Sequence, residues 1–268
     1  MKLNAFFSKH SVFTLQELDQ FLEKEGTGNK GTRKNLLAHH RKRGRILPVR
    51  RGLYAVIPHG ASAEAFPVDP YLLAAKMVND AVLGYHTALE FHGKAHSVFE
   101  WFYYMSNRPS VRLRFRSYEF RCVLFPQRLL VKGMQLFGAK KTERAGVDIM
   151  VTSLERTLVD VLDRPDLGGS WEEIWRSLES VEFFDLDEVV EYATLLQNAT
   201  TTAKVGFFLE EHRDTLMVED LHLDALRALR PRQPHYLNRA HRKDGVFVPA
   251  WNLVVPAAVL ERSWAEVT

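Results

Sequence analysis

FSKHSVFTLQELDQFLEKEGTGNKGTRKNLLAHHRKRGRILPVRRGLYAVI, residues 7–57, decides how the rest of the chain is read. Thr14 followed by Glu17 forms a capping box, in which hydroxyl and carboxylate each take an orphan backbone N–H. It starts a helix that buries Leu15, Leu18, Phe21 and Leu22 and ends at Gly26. Asn29 has the short polar side chain of a second cap, and the spacing predicts a helix from there to about Arg43, broken by Gly44. On a 3.6-residue wheel its apolar face is Leu36, Leu37 and the ring edge of His40. The opposite face carries Gly31, Lys34, Asn35, Ala38, Arg41 and Lys42. Strands at about Ile46–Val49 and Leu53–Ile57, turned at Arg50, Arg51 and Gly52, complete a winged helix-turn-helix over residues 1–57.

The third helix has the chemistry of a DNA reader. Short residues let a backbone approach base edges, an amide can bond a base in bidentate fashion, and lysine or arginine neutralises flanking phosphates. Asn35 is the expected base contact, with Lys30, Lys34, Arg41 and Lys42 around it and Arg50 and Arg51 on the wing.

The formal net charge of +3 hides a strong segregation. Residues 1–60 hold 12 lysines and arginines against 4 acids, and residues 101–145 hold 10 against 2, whereas residues 146–224 hold 5 against 19. A basic head favours nucleic acid through counterion release, and an acidic body discourages non-specific wrapping or invites a basic partner. The single cysteine, Cys122, excludes an internal disulfide and a cysteine-based zinc cluster, and it reads as a strand packing residue. No leader pattern and no run of about twenty apolar residues is present, so the expectation is a soluble, cytoplasmic protein with no membrane partner.

Residues 58–67, PHGASAEAFP, read as a linker. Beyond it a mixed α/β body is expected over residues 68–268, able to fold alone, with the last part from about 221 an extension. Asp69-Pro70 starts a helix, and GYHTALEFHG makes a short second one closed by Gly93. From Glu100 to Pro126 the pattern turns to β and predicts a curled antiparallel sheet. One face of it gathers Arg112, Arg114, Arg116 and Arg121 with few acids near, a surface for DNA, RNA or an acidic protein. VDIMV adds a strand, and helices follow from Thr152 or Ser153, from Ser170, from Asp185, and to near His212. In the first of these Glu155 is placed to close a box with Thr152, and Arg156 and Asp160 lie four apart and can pair. A hairpin turned by Asp244-Gly245 and a strand around WNLVV close the tail.

Several motifs imitate catalysis. GTGNKG, residues 26–31, has the glycine pattern of a dinucleotide loop, but a helix precedes it and Arg51 stands where an acid should hold the ribose. Gly169-Ser170 and Asp185-x-Asp187 echo a nucleotidyltransferase, in which two carboxylates hold magnesium. Asp187, however, heads a segment with apolar residues at helical spacing, so both aspartates read as first-turn caps. His92 and His96 have helical spacing interrupted by Gly93. The expectation is no enzyme, no metal and no cofactor; nucleotidyl transfer and a ligand-binding or dimeric regulator without a toxin are the alternatives.

RRGLYAV (50–56), GYHTALEFHG (84–93) and VDIMVTSLERTLVDVLDRPDLGGSWEEIWRSLES (147–180), continuing to AKVGFFLEEH (203–212), resemble the AbiEi-type antitoxins of type IV toxin-antitoxin, abortive-infection systems. The family's usual serine in the small helix is Thr87 here. The resemblance implies an α+β protein with two roles in phage defence. A winged helix-turn-helix represses its own operon at promoter repeats, and a mixed α/β C-terminal antitoxin domain neutralises a cognate nucleotidyltransferase-like toxin. Arg112, Arg114, Arg116 and Arg121 are the expected antitoxin surface.

Overall fold

The structure, a computed structural model, describes residues 2–26, 28–238 and 245–264. The head begins with helix α1 (Lys2–Lys9) and strand β1 (Val12–Thr14), followed by α2 (Leu15–Lys24), α3 (Lys30–Lys42) and the wing strands β2 (Ile46–Arg50) and β3 (Leu53–Val56). The Thr14–Glu17 capping box forms on both sides, and Asn29 accepts the N–H of Thr32 at the start of α3. Gly26 and Gly44, at φ 71° and 65°, supply the left-handed exits after the two helices. The strand β1 is an addition to the expected hairpin: it pairs antiparallel with β3, giving the order β1-β3-β2. Phe6, Phe7, Phe13, Leu18, Leu22, Ile46 and Val56 form the head's own core.

The body is built on a six-stranded mixed sheet. After α4 (Pro70–Ala75), capped by Asp69 as expected, come β4 (Val82–Leu83), α5 (His86–Phe91), β5 (Trp101–Ser106), β6 (Leu113–Phe115), β7 (Tyr118–Leu124) and α6 (Gln127–Lys132). The edge hairpin β8 (Ala139–Arg144) and β9 (Val147–Thr152) completes the order β6-β7-β5-β4-β9-β8. The expectation of an antiparallel sheet fails at its centre. The short β6 folds back antiparallel on β7, so the chain re-enters β7 parallel to β5, with Trp101 opposite Glu119 and Ser106 opposite Leu124. Strand β4 is also parallel to β9.

Alternation along β5 shows why the sheet is covered on both faces. Tyr103 and Met105 point into a cluster formed with the C-terminal helices, and Phe102 and Tyr104 point into a second cluster with α4. That second cluster also contains Val12, Val49, Leu53 and Ala55 of the head. The linker 58–67 is without helix or strand, yet head and body share apolar packing. Lys76 bonds Glu17 at 2.5 Å, Asn79 bonds Gln16, and Arg116 donates to the linker carbonyls of Ala63 and Phe66, both at 2.6 Å. Removing the head would uncover this cluster, which bears directly on the expectation that the body folds alone.

The other face carries α7 (Leu154–Asp163), a 3-10 turn at Pro165–Leu167, α8 (Trp171–Glu179), α9 (Leu186–Leu195), α10 (Ala199–Glu211) and α11 (Asp220–Ala228). Ser153, Ser170 and Asp185 are the N-caps of α7, α8 and α9. Glu155 does not close a box with Thr152; it accepts the N–H of Asp185, because the cap lies one residue later. Strands β10 (His235–Tyr236), β11 (Gly245–Val248) and β12 (Leu253–Pro256) form a small sheet before α12 (Ala257–Leu260). Asp244 lies outside the described residues, and the hairpin of this region turns at residues 249–252. The segment from 221 is no appendage, since Leu223, Leu226, Trp251, Leu253 and Val255 lie in the main core. The Trp251 ring sits where a side chain on Gly206 would have to go.

Two buried polar clusters tie these layers together. Arg156, fully buried, bonds Asp160 (3.2 Å) and donates to the carbonyls of Gln135 (2.8 Å) and Phe137 (2.6 Å), and the Tyr192 hydroxyl donates to Asp160 (2.6 Å). His86 lies 3.0 Å from Glu173 and 3.5 Å from Glu90 and stacks on Phe99 at 3.7 Å. It follows Tyr85, held at φ 56° and ψ −140°, a backbone region that costs a non-glycine residue about 1–3 kcal/mol. Burial alone would discharge His86, but Glu173 and Glu90 more than offset it and raise its pKa. Burial also opposes the charge on Glu173, yet bonds from His86 and Ser97 hold its pKa down to about 2.

Two outcomes follow from these clusters. Arg156→Met should lower unfolding stability by about 3–5 kcal/mol, because Asp160 is left buried with its charge unpaired; a loss under 1 kcal/mol in chemical denaturation would show the pair to be dispensable. The His86–Glu173 contribution should be present above the ordinary glutamate value of 4.5, where Glu173 has ionised, and fade as pH falls from there towards 2. It should be complete below the ordinary histidine value of 6.5 and lost as pH rises through the raised value of His86. The stability gap between the native chain and Glu173→Gln should therefore narrow on the alkaline side, and a gap independent of pH would refute the pairing.

Candidate nucleic-acid interface

The inward side of α3 is fixed by packing. Leu36 and Leu37 lie against the head core, and the edge of His40 meets the Phe7 ring at 5.0 Å. Burial, then the positive neighbours His39, Arg45 and Arg43, lowers the His40 pKa, so this ring is neutral at pH 7. Arg33 is also turned inward and pairs with Asp19, which fixes α2 against α3. With that side engaged, Lys30, Gly31, Lys34, Asn35, Ala38, Arg41 and Lys42 all face solvent, and no acid shares their face. The structure brings together the helix residues picked out by the periodicity. His39 and Arg43 are exposed with them, and the basic run HHRKR was the available signal for both.

On the wing the two arginines part. Arg50 pairs with Leu53 in the ladder and Arg51-Gly52 form a two-residue turn, with Gly52 at φ 86°. Arg51 is exposed at the tip. Arg50 is exposed as well, but it turns back and donates to the carbonyl of Met77 in the body, so it also takes part in the joint between head and body. The sequence held no sign of this, because the partner is a backbone oxygen 27 residues away.

The arginine-rich sheet face carries less free charge than its composition suggests. Arg112 (3.0 Å), Arg114 (3.1 Å) and Arg121 (2.5 Å) all converge on the carboxylate of Glu119, and hydrogen bonds from the arginines hold the pKa of Glu119 down. Arg121 also donates to the Tyr103 hydroxyl and lies over the Trp101 ring. Arg116 is bonded to the linker. Few acids lie near this face, as expected, but one central glutamate on β7 serves three of its arginines at once.

The transferase echo is absent from the geometry. Asp185 accepts the N–H of Glu188 as a cap, Asp187 is exposed and lies 3.4 Å from His222, and Ser170 caps α8. No group of three or more histidine, cysteine or acidic residues is placed to hold a metal among the described residues. His92 donates from Nε2 to the carbonyl of Thr152, tying the end of α5 to the end of β9. No helix of the described residues is long and apolar enough to cross a membrane.

Residues 1–57 match the family model for transcriptional regulators of the AbiEi antitoxin type. The crystal structure of the RV2827C protein from Mycobacterium tuberculosis is similar over 99% of this chain and 94% of that one, with a TM-score of 0.60 and 20% identity, a likeness of fold. No curated protein matches the chain. The open basic α3 and the wing both lie within the residues that match this model.

Proposed function

We propose that this chain is a cytoplasmic antitoxin and autorepressor of a type IV toxin-antitoxin operon in phage defence. It binds promoter repeats through Lys30, Lys34, Asn35, Arg41, Lys42 and Arg51, and it neutralises a nucleotidyltransferase-like toxin. The observation that carries the DNA reading is the acid-free exposed face of α3 beside an exposed wing arginine. Lysine and arginine there set affinity through phosphates, whereas Asn35 can read one base edge. The antitoxin reading rests on the family of the head.

Gel shifts with DNA from upstream of its own gene test the first role. Lys34→Ala and Arg51→Ala should each weaken binding on every sequence and lower the salt slope by about one, and Asn35→Ala should relax preference at one position by about 1–3 kcal/mol. Arg50→Ala should lower the slope by less than Arg51→Ala does, since its guanidinium is turned towards Met77. Absence of a shift at low salt would remove the DNA reading.

Separation of the two roles is tested in cells with the full chain. Lys34→Ala combined with Arg51→Ala should release a promoter reporter while still rescuing growth from the product of the neighbouring gene. If repression and rescue always fall together, the division of roles is wrong.

A further inference from the structure

The first turn of α2 is gripped from outside the head as well as from within it. Leu15 donates its N–H to the Gly52 carbonyl of the wing turn at 2.9 Å, Gln16 accepts from Asn79 at 3.2 Å, and Glu17 accepts from Lys76 at 2.5 Å. Lys76 and Asn79 belong to the body. Lys76 follows α4, where its N–H is bonded to the carbonyls of Leu72 and Leu73, and those two residues are fully buried in the cluster against the sheet. Its ammonium therefore starts from a fixed base, and the side chain is only 8% exposed. Burial opposes the charge on Glu17, yet bonds from Lys76 and Thr14 more than offset it and hold its pKa down, so Glu17 meets Lys76 as a carboxylate at neutral pH.

Two further contacts carry this grip to both DNA-facing elements. Asp19, also on α2, pairs with Arg33 of α3. Arg50 of the wing donates to the carbonyl of Met77, the residue after Lys76. Beside these contacts the joint is not filled: a cleft of about 660 Å³ lies between Gln16, Arg50 and Gly52 of the head and Met77, Asn79 and Asn107 of the body. Apolar packing elsewhere in the joint holds head to body but is non-directional. Directed polar contacts are what set an angle.

We propose that Lys76 is a positioning residue for DNA reading: through Glu17 it fixes α2, and with it α3, at one angle to the wing, which the neighbouring Met77 carbonyl holds through Arg50. A buried ion pair contributes little net stability and is suited to selecting one arrangement. Base reading depends on that arrangement, because a bidentate contact from Asn35 has a narrow geometry, whereas phosphate attraction does not. Lys76 itself is buried and cannot neutralise a phosphate. This inference rests on the DNA reading of the head, and it assigns part of sequence discrimination to the body.

The test compares binding of the full chain to DNA from upstream of its own gene with binding to a scrambled duplex of the same length and composition, each across a salt series. Glu17→Gln keeps the capping box, since a glutamine oxygen can still take the Thr14 N–H, but removes the charge that Lys76 holds. It should weaken upstream binding by about fivefold, with the salt slope unchanged and no weakening on the scrambled duplex. Charge alone predicts the opposite, because losing a carboxylate near DNA strengthens attraction. Lys76→Met should reproduce the loss, the double variant should be no worse than either single one, and Lys76→Arg should retain native discrimination. Upstream binding by Glu17→Gln as tight as that of the native chain overturns the proposal, as does a double variant whose losses add. A salt slope that falls in Lys76→Met also overturns it, since the lysine would then be a phosphate contact. If thermal melting shows the Lys76 variants misfolded, Glu17→Gln decides the matter alone. A native chain without preference for the upstream duplex overturns the DNA reading itself, and this inference with it.

Discussion

One buried guanidinium holds α7 to its neighbours on the helical side of the sheet. Arg156 has no contact with water, and it reaches three separate segments: its own helix through Asp160, α9 through Tyr192, and the loop before β8 through two carbonyl oxygens. A buried ion pair contributes little net stability relative to a well-packed apolar substitute, but half of one is severely unfavourable. Arg156 therefore works as a constraint on arrangement. Gly138 shows how tight that arrangement is, because a side chain there would run into Arg156, and the Gly138 carbonyl accepts the N–H of Ser153 at 2.6 Å. The edge strand β8, the cap of α7 and the buried arginine are fixed by the same few atoms.

The second organising principle is separation of charge. The head presents a cationic helix, the middle strands gather three arginines on the one carboxylate of Glu119 and keep a positive excess, and the helical layer is acidic. The acidic helices repel polyanions at distances up to the Debye length, about 8 Å at physiological ionic strength. Because head and body share apolar packing, the two ends hold a definite relation through Lys76, Arg50 and Arg116, each of which crosses the junction.

Local chemistry made the head legible. The Thr14 and Asn29 caps, the glycine exits and the division of α3 into two faces are written within single turns of helix, and each stands where the spacing places it. The caps at Asp69, Ser153, Ser170 and Asp185 were readable for the same reason. Non-local pairing was not. No property of YEFRCVLF distinguishes a parallel neighbour from an antiparallel one, β4 is two residues long, and β8 is a charged edge strand without an apolar run. Sequence spacing does not reveal that Arg112, Arg114 and Arg121 share a single carboxylate. The bond of Arg50 to Met77 was not legible because its acceptor is backbone, which carries no signature in sequence.

The ring of Trp251, seated against the bare backbone of Gly206, has a consequence for how the protein is made. The apolar set of the head is complete once Val56 has been synthesised, but the main core of the body lacks a wall until Trp251, Leu253 and Val255 arrive. At about 5–20 residues per second, ribosomes separate those two moments by on the order of 10–40 s. For that interval a finished winged helix, and a six-stranded sheet whose last strand ends at Thr152, wait beside helices that cannot close. The nascent chain thus exposes its largest apolar surface late, and chaperone demand should track the emergence of the final fifth of the protein rather than its size.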